Sequence, residues 1–191
     1  MKTEIASSND SVSAGLIANR KSTERMNAGG VFTVECVGPD GQVKWTDTFH
    51  NLVVNEGLQD MNDKYFKGVG YSASWYLGLV TGPGAGNTYA ATDTLATNPG
   101  WNENTSYSGN RQAVTFGSPT LADPSVINNS ASPASFAMTV NGTVIAGALL
   151  ASVSSGTSGI LFSVGNFTGG DKTVDAGDTL NVTYAFSLDA I

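Results

Sequence analysis

Large apolar residues are sparse over residues 1–30, where beyond Ile5 the larger ones are Leu16, Ile17 and Met26. From Val31 onward they recur at alternate positions, the period at which a strand presents one face to a core. Residues 31–37 place Phe32, Val34 and Cys36 on one side, and residues 42–49 do the same with Val43 and Trp45. Between them Gly38-Pro39-Asp40-Gly41 supplies a preset φ and glycines that accept positive φ, so the two segments read as a β-hairpin.

The period then changes. Val54, Leu58, Met61 and Tyr65 fall at helical spacing and predict one helix near 55–67 with these residues on a single face. Asn55 is the expected N-cap, Glu56 and Asp60 suit the positive end of the helix dipole, Lys64 and Lys67 suit the negative end, and Gly68 and Gly70 stop the run. Residues 75–80 are almost continuously apolar, as in a strand buried on both faces. A long polar loop follows over 81–110, with a turn of helix expected at Asp93-Thr94-Leu95-Ala96.

The last third reads as strands at 112–116, 136–140, 143–153, 159–164 and 179–188. Asn141-Gly142 predicts a tight hairpin between the second and third of these, and the Ser/Gly-rich stretch 154–159 joins the third to the fourth. The final strand alternates Leu180, Val182, Tyr184, Phe186 and Leu188 against Asn181, Thr183 and Ala185. The expected fold is mainly β: an antiparallel β-sandwich with jelly-roll or Greek-key connections, one helix, and an extended N-terminal arm. The domain boundary is expected at Gly29-Gly30, with an arm over 1–30 and a body over 31–191.

Charge sharpens that boundary. The arm holds four of the nine cations against three acids, whereas the body holds five cations against thirteen acids and is therefore about −8. Only 13% of the chain is charged, about half the usual share. A net charge of −7 argues against nucleic acid as a partner, which needs a basic face. No apolar run reaches the ~20 residues of a membrane helix, and Met1-Lys2-Thr3-Glu4 opens no leader pattern.

Candidate chemistry is thin. Cys36 sits among inward-facing residues and reads as a small core hydrophobe, and His50 is the single histidine, so neither has the partner that an activated nucleophile or a zinc site requires. Asp171, Asp175 and Asp178 are the closest carboxylates, at a spacing that matches no EF-hand. The sequence predicts no enzymatic activity, no metal and no cofactor. Tyr89, Trp101 and Tyr107 lie in the long loop and are the expected subunit contacts.

Several segments taken in order resemble tailed-bacteriophage virion structural proteins. They are Asn51-Leu52-Val53-Val54-Asn55-Glu56-Gly57-Leu58 after the hairpin, Trp75-Tyr76-Leu77-Gly78-Leu79, Asp93-Thr94-Leu95-Ala96 with Gly100-Trp101-Asn102-Glu103, and Ser132-Pro133-Ala134. Ile145-Ala146-Gly147-Ala148-Leu149-Leu150 and Val174-Asp175-Ala176-Gly177-Asp178-Thr179-Leu180-Asn181-Val182-Thr183 complete the set. The resemblance covers the body and excludes the arm. It implies a place in the virion, assembled in the host cytoplasm, as a capsid decoration (cement) or tail-associated protein, and it carries no catalytic residue. On that reading the partners are the major capsid protein and the chain itself, as a homotrimer or next a dimer. The arm, through Leu16, Ile17, Arg20, Lys21, Arg25 and Met26, is the expected capsid contact. The alternative is a tail or fibre-associated protein that recognises a host-surface receptor or glycan.

Overall fold

A computed structural model describes residues 26–68, 70–71 and 74–190. In chain order the elements are β1 (Met26–Val37), β2 (Val43–His50), β3 (Leu52–Val53), α1 (Asn55–Phe66), β4 (Tyr76–Thr81), a 3-10 turn at Gly84–Gly86, β5 (Glu103–Asn104), β6 (Gln112–Ala113), β7 (Ser125–Asn128), β8 (Ala134–Ala137), β9 (Thr143–Ala151), β10 (Leu161–Asn166), β11 (Lys172–Val174) and β12 (Thr179–Ala190). They form two antiparallel sheets packed face to face, a β-sandwich as expected.

The first sheet runs β2-β1-β12-β7, with β8 also paired to β12. Its axis is the pairing of β1 with β12 from Met26 opposite Ala190 to Val37 opposite Thr179. The alternation predicted for both strands places Phe32, Val34, Cys36, Leu180, Val182 and Tyr184 inward, all fully buried. Asn129 supplies what the gap between β7 and β8 lacks. Its side chain accepts from the Tyr184 amide at 2.7 Å and donates to the Val182 carbonyl at 3.2 Å, replacing a stretch of ladder along β12.

The second sheet runs β3-β10-β9-β4-β5, with β11 on β9 and β6 on β4. Its strands are buried on both faces, which explains their nearly continuous apolar sequence. One face meets the first sheet through Leu77, Leu79, Ile145, Leu150 and Phe162. The other face carries Val80, Leu149, Leu161 and Val164, and the loop after β4 folds back over it with Leu95 and Trp101. The expected helical turn at Asp93 is instead a compact non-helical turn, closed by Asp93 N–H to Ala90 O at 3.0 Å and Thr94 N–H to Thr97 O at 3.0 Å.

Three local expectations change. Asn141-Gly142 does not join paired strands, because β8 lies on β12 in the first sheet and β9 lies in the second. Only Gly142 has positive φ there, at 66°, whereas a type I′ turn needs two such residues. The turn is held by its neighbours: Asn141 Oδ1 accepts from Ala176 N–H at 2.9 Å and Asp175 Oδ1 from Gly142 N–H at 2.8 Å.

The helix sits where expected but is rotated. Gly57 and Asp60 face the body with Met61 and Lys64 half-buried, while Leu58 and Tyr65 face solvent. An ideal Cβ on Gly57 would lie 2.7 Å from Phe162 O, so the absent side chain is what lets α1 press onto β10. Glu56 fixes the same rotation by accepting from Leu161 N–H at 3.1 Å, and Val54, not Asn55, holds the N-cap position.

Finally, Gly29-Gly30 lies inside a strand. β1 begins at Met26, so residues 26–30 of the expected arm belong to the body, held by β12 through Ser187, Leu188, Asp189 and Ala190.

Candidate functional site

Trp101 and Tyr107, expected as subunit contacts, are 3% and 5% exposed. Trp101 packs under the folded-back loop and donates through Nε1 to Asp93 Oδ2 at 2.9 Å. Tyr107 stacks edge-on against Phe136 with centroids 4.8 Å apart, and burial pushes its phenol pKa up. Both rings are buried within the described chain, so neither offers an exposed face for a subunit contact or a sugar. Tyr89 is half-buried beside Trp101, its hydroxyl bonds Asn166 Oδ1, and burial pushes its pKa to about 12. Leu16, Ile17, Arg20, Lys21 and Arg25 lie outside the described residues, and Met26 opens β1 with 65% exposure.

The titratable groups are committed to structure. Cys36 is fully buried and its thiol is pushed up to about 11, by burial first and then by the charge of Asp178. All five cations beyond Gly30 close ion pairs: Lys44 with Asp178, Lys64 with Asp60, Lys67 with Asp63, Arg111 with Glu103 and Lys172 with Asp47. The Asp171, Asp175 and Asp178 group is dispersed in the same way. Asp171 accepts from Gly84 N–H, Asp175 from Gly142 N–H, and Asp178 from Asp175 N–H and Lys44. Among the described residues no group of three or more His, Cys, Asp or Glu side chains is placed to hold a metal.

Asp178 gives a pH signature. Burial raises its pKa, but the Lys44 ammonium at 2.7 Å and the Asp175 amide outweigh this and hold the carboxyl below its usual range. A depressed folded pKa contributes stability that is present above the unfolded value of about 3.9 and is lost as pH falls through the folded value. Asp178→Asn is therefore expected to lower stability at pH 7 by about 1–2 kcal/mol, discounted because Lys44 is 41% exposed, with the deficit shrinking toward pH 2. Urea midpoints of both proteins across that range check it, and parallel acid limbs would refute the pairing.

One part of the surface is apolar. At its C-terminal end α1 presents Tyr65 and Phe66 at 84% and 77% exposure, their rings edge to face at 4.9 Å. Tyr71 returns beside them, held by the Trp75 Nε1 donor at 3.1 Å and by Lys64, whose Nζ lies 5.9 Å from its ring centre. Between this end of the helix and the free end of the β1–β12 ribbon runs a groove of about 640 Å³, walled by Met26, Leu188, Met61, Tyr65, Phe66 and Tyr71. A smaller cavity of about 210 Å³ adjoins it and reaches Phe162, Phe186 and Tyr184. Met26, Tyr65, Phe66 and Tyr71, each more than half exposed, stand together here, and contiguous apolar patches of this kind are uncommon on protein surfaces. The adjacent aromatics Tyr65-Phe66 were the sequence signal, masked by assigning Tyr65 to the buried face.

No family model, curated protein or solved structure matches the chain.

Proposed function

We propose that the protein is a structural component of a virion, a capsid decoration (cement) protein that binds the outside of a phage head and stabilises it, with no catalytic step. The observation that carries this reading is the exposed apolar groove at the root of the N-terminal segment: residues 1–25 lead directly into Met26, which is one wall of it. A sandwich whose five cations are all paired internally, with an apolar face where residues 1–25 join it in sequence, suits attachment rather than turnover. Leu16 and Ile17, with Arg20, Lys21 and Arg25, are the proposed capsid contacts, and many weak contacts on a symmetric shell add through multivalency.

The test is co-sedimentation with heads lacking the protein. A chain beginning at Met26 is expected to keep the circular dichroism of the full chain and to lose head binding by ~100-fold or more. The cut belongs before Met26, because deletion through Gly30 also removes five strand residues that pair with β12. Saturation of heads by the shortened chain at the concentration the full chain needs would refute the arm's role. Binding of the full chain to tails and not to heads would overturn the decoration reading.

A further inference from the structure

We propose that the groove and the strand edge beside it form the contact between two copies of this chain, arranged about a two-fold axis. β2 pairs with β1 only as far as His50 opposite Val31, and the chain then crosses to the second sheet as β3. Among the described residues, Met26 to Gly29 consequently have a ladder on the β12 side alone. Gly30 O accepts from Asn51 N–H at 3.1 Å, so Gly30 directs its backbone groups away from β12. Backbone direction alternates along a strand, so Ala28 and Met26 do the same. Among the described residues nothing pairs with their outward N–H and C=O groups.

Such an edge is a template for another strand. The opposite edge of the sheet is guarded: β2 carries Lys44 and His50 outward and turns Asp47 inward, where Thr168 and Gly169 N–H groups cover it at 3.1 and 2.9 Å. The stretch Met26-Asn27-Ala28-Gly29 carries no charge and no proline. Antiparallel pairing of two such stretches about an axis at Asn27 sets Met26 of each copy against Ala28 of the other. Every outward donor then meets an acceptor with no third segment required. Met26 and Leu188 lie on the inward face of the ribbon, so the same operation brings the two grooves and their Tyr65 and Phe66 rings together.

Two further observations select a second copy as the occupant. The body is acidic, yet at the helix end the charges cancel within the chain, Lys64 with Asp60 and Lys67 with Asp63, and Asp189, opposite Asn27, is the unpaired acid that the contact must accommodate. Met26, Tyr65, Phe66 and Tyr71 are 65%, 84%, 77% and 58% exposed. At about 150–250 Å² for each buried aromatic, they supply on the order of 500 Å² per copy, the apolar centre of an interface that needs about 800 Å² per partner.

This adds self-association to the decoration reading, gives the groove to the second copy and leaves head binding to residues 1–25, and the two are tested apart. In sedimentation velocity across a concentration series, the full chain is expected to dimerise reversibly. Phe66→Glu and Tyr65→Glu, both at exposed positions, should each weaken the dimer by ~100-fold with the circular dichroism of the fold unchanged. Ala28→Pro, which deletes an outward N–H and spares the bond to β12, should weaken it by at least ~10-fold. Thr46→Glu on the guarded edge should leave it intact. A monomer at every concentration would mean that the chain's own N-terminal segment or a capsid surface occupies the groove, and would overturn the proposal. So would a trimer, which two-fold edge pairing cannot build, or dimers indifferent to Phe66→Glu. A monomer that binds heads overturns only this proposal, and a dimer that ignores them overturns only the decoration reading.

Discussion

Trp101→Ala is expected to destabilise the protein by about 3–5 kcal/mol and to lower its melting temperature by roughly 10 °C. The indole is 3% exposed and packs with Leu95 against Val80, Leu149 and Val164 on the far face of the second sheet. Removing it opens a cavity beneath a loop whose other apolar anchors on this face are Leu95 and the half-buried Tyr89. It also strips a donor from Asp93, which is 4% exposed and accepts from Trp101 Nε1 at 2.9 Å and from Ala90 N–H at 3.1 Å. Trp101→Phe separates the two causes, because it keeps most of the volume and loses only the donor, at about 1–3 kcal/mol. Chemical denaturation measures both. A loss below ~1 kcal/mol for the alanine variant would show that the loop is not a packed layer and would return Trp101 to the surface role that its sequence context suggested.

The second large effect is electrostatic. Arg111 has a side chain 4% exposed and forms a two-point bridge to Glu103, Nε to Oε1 at 2.7 Å and Nη2 to Oε2 at 2.6 Å, while Nη1 donates to Val153 O at 3.0 Å. The bridge joins the far end of the long loop to the end of β9. Glu103→Ala leaves a buried guanidinium without its counter-charge and is expected to cost about 3 kcal/mol, the lower end for a buried pair because Glu103 is 23% exposed. Arg111→Met should cost less, since the remaining carboxylate can rehydrate. The double variant Glu103→Leu with Arg111→Met should recover much of the loss, because a buried pair removed whole is often nearly neutral. A double-mutant cycle by urea unfolding measures the coupling, and single losses that simply add would disprove it.

The parts of this fold that sequence reveals are those written in a local period. β1, β2 and β12 announce themselves because alternate residues reach one core, and β4 does so because its unbroken apolar run has two cores to serve. The helix was legible in extent but not in rotation: the buried face is marked by Gly57 and Asp60, a missing side chain and a carboxylate, and apolar spacing cannot register either. Asn141-Gly142 looks like a hairpin because turn chemistry is local, whereas the sheet that the next strand joins is decided by distant partners. Burial of Trp101 and Tyr107 is also a long-range event, invisible in a polar loop. The groove was harder still, since Met26, Tyr65 and Leu188 are far apart in the chain and meet only when its two ends pair.

That pairing of ends bears on how the protein is made. β1 opens the described residues, and its principal neighbour, β12, is synthesised only after every other described strand. Until Thr179 to Ala190 are released, β1 has only β2 beside it, and Phe32, Val34 and Cys36 lie on an uncovered face. A fold that closes through its most distant contacts pays its loop-closure entropy late, so the nascent chain spends its synthesis exposed to aggregation. Termination before Thr179 would therefore yield an incomplete sheet rather than a slightly shorter protein.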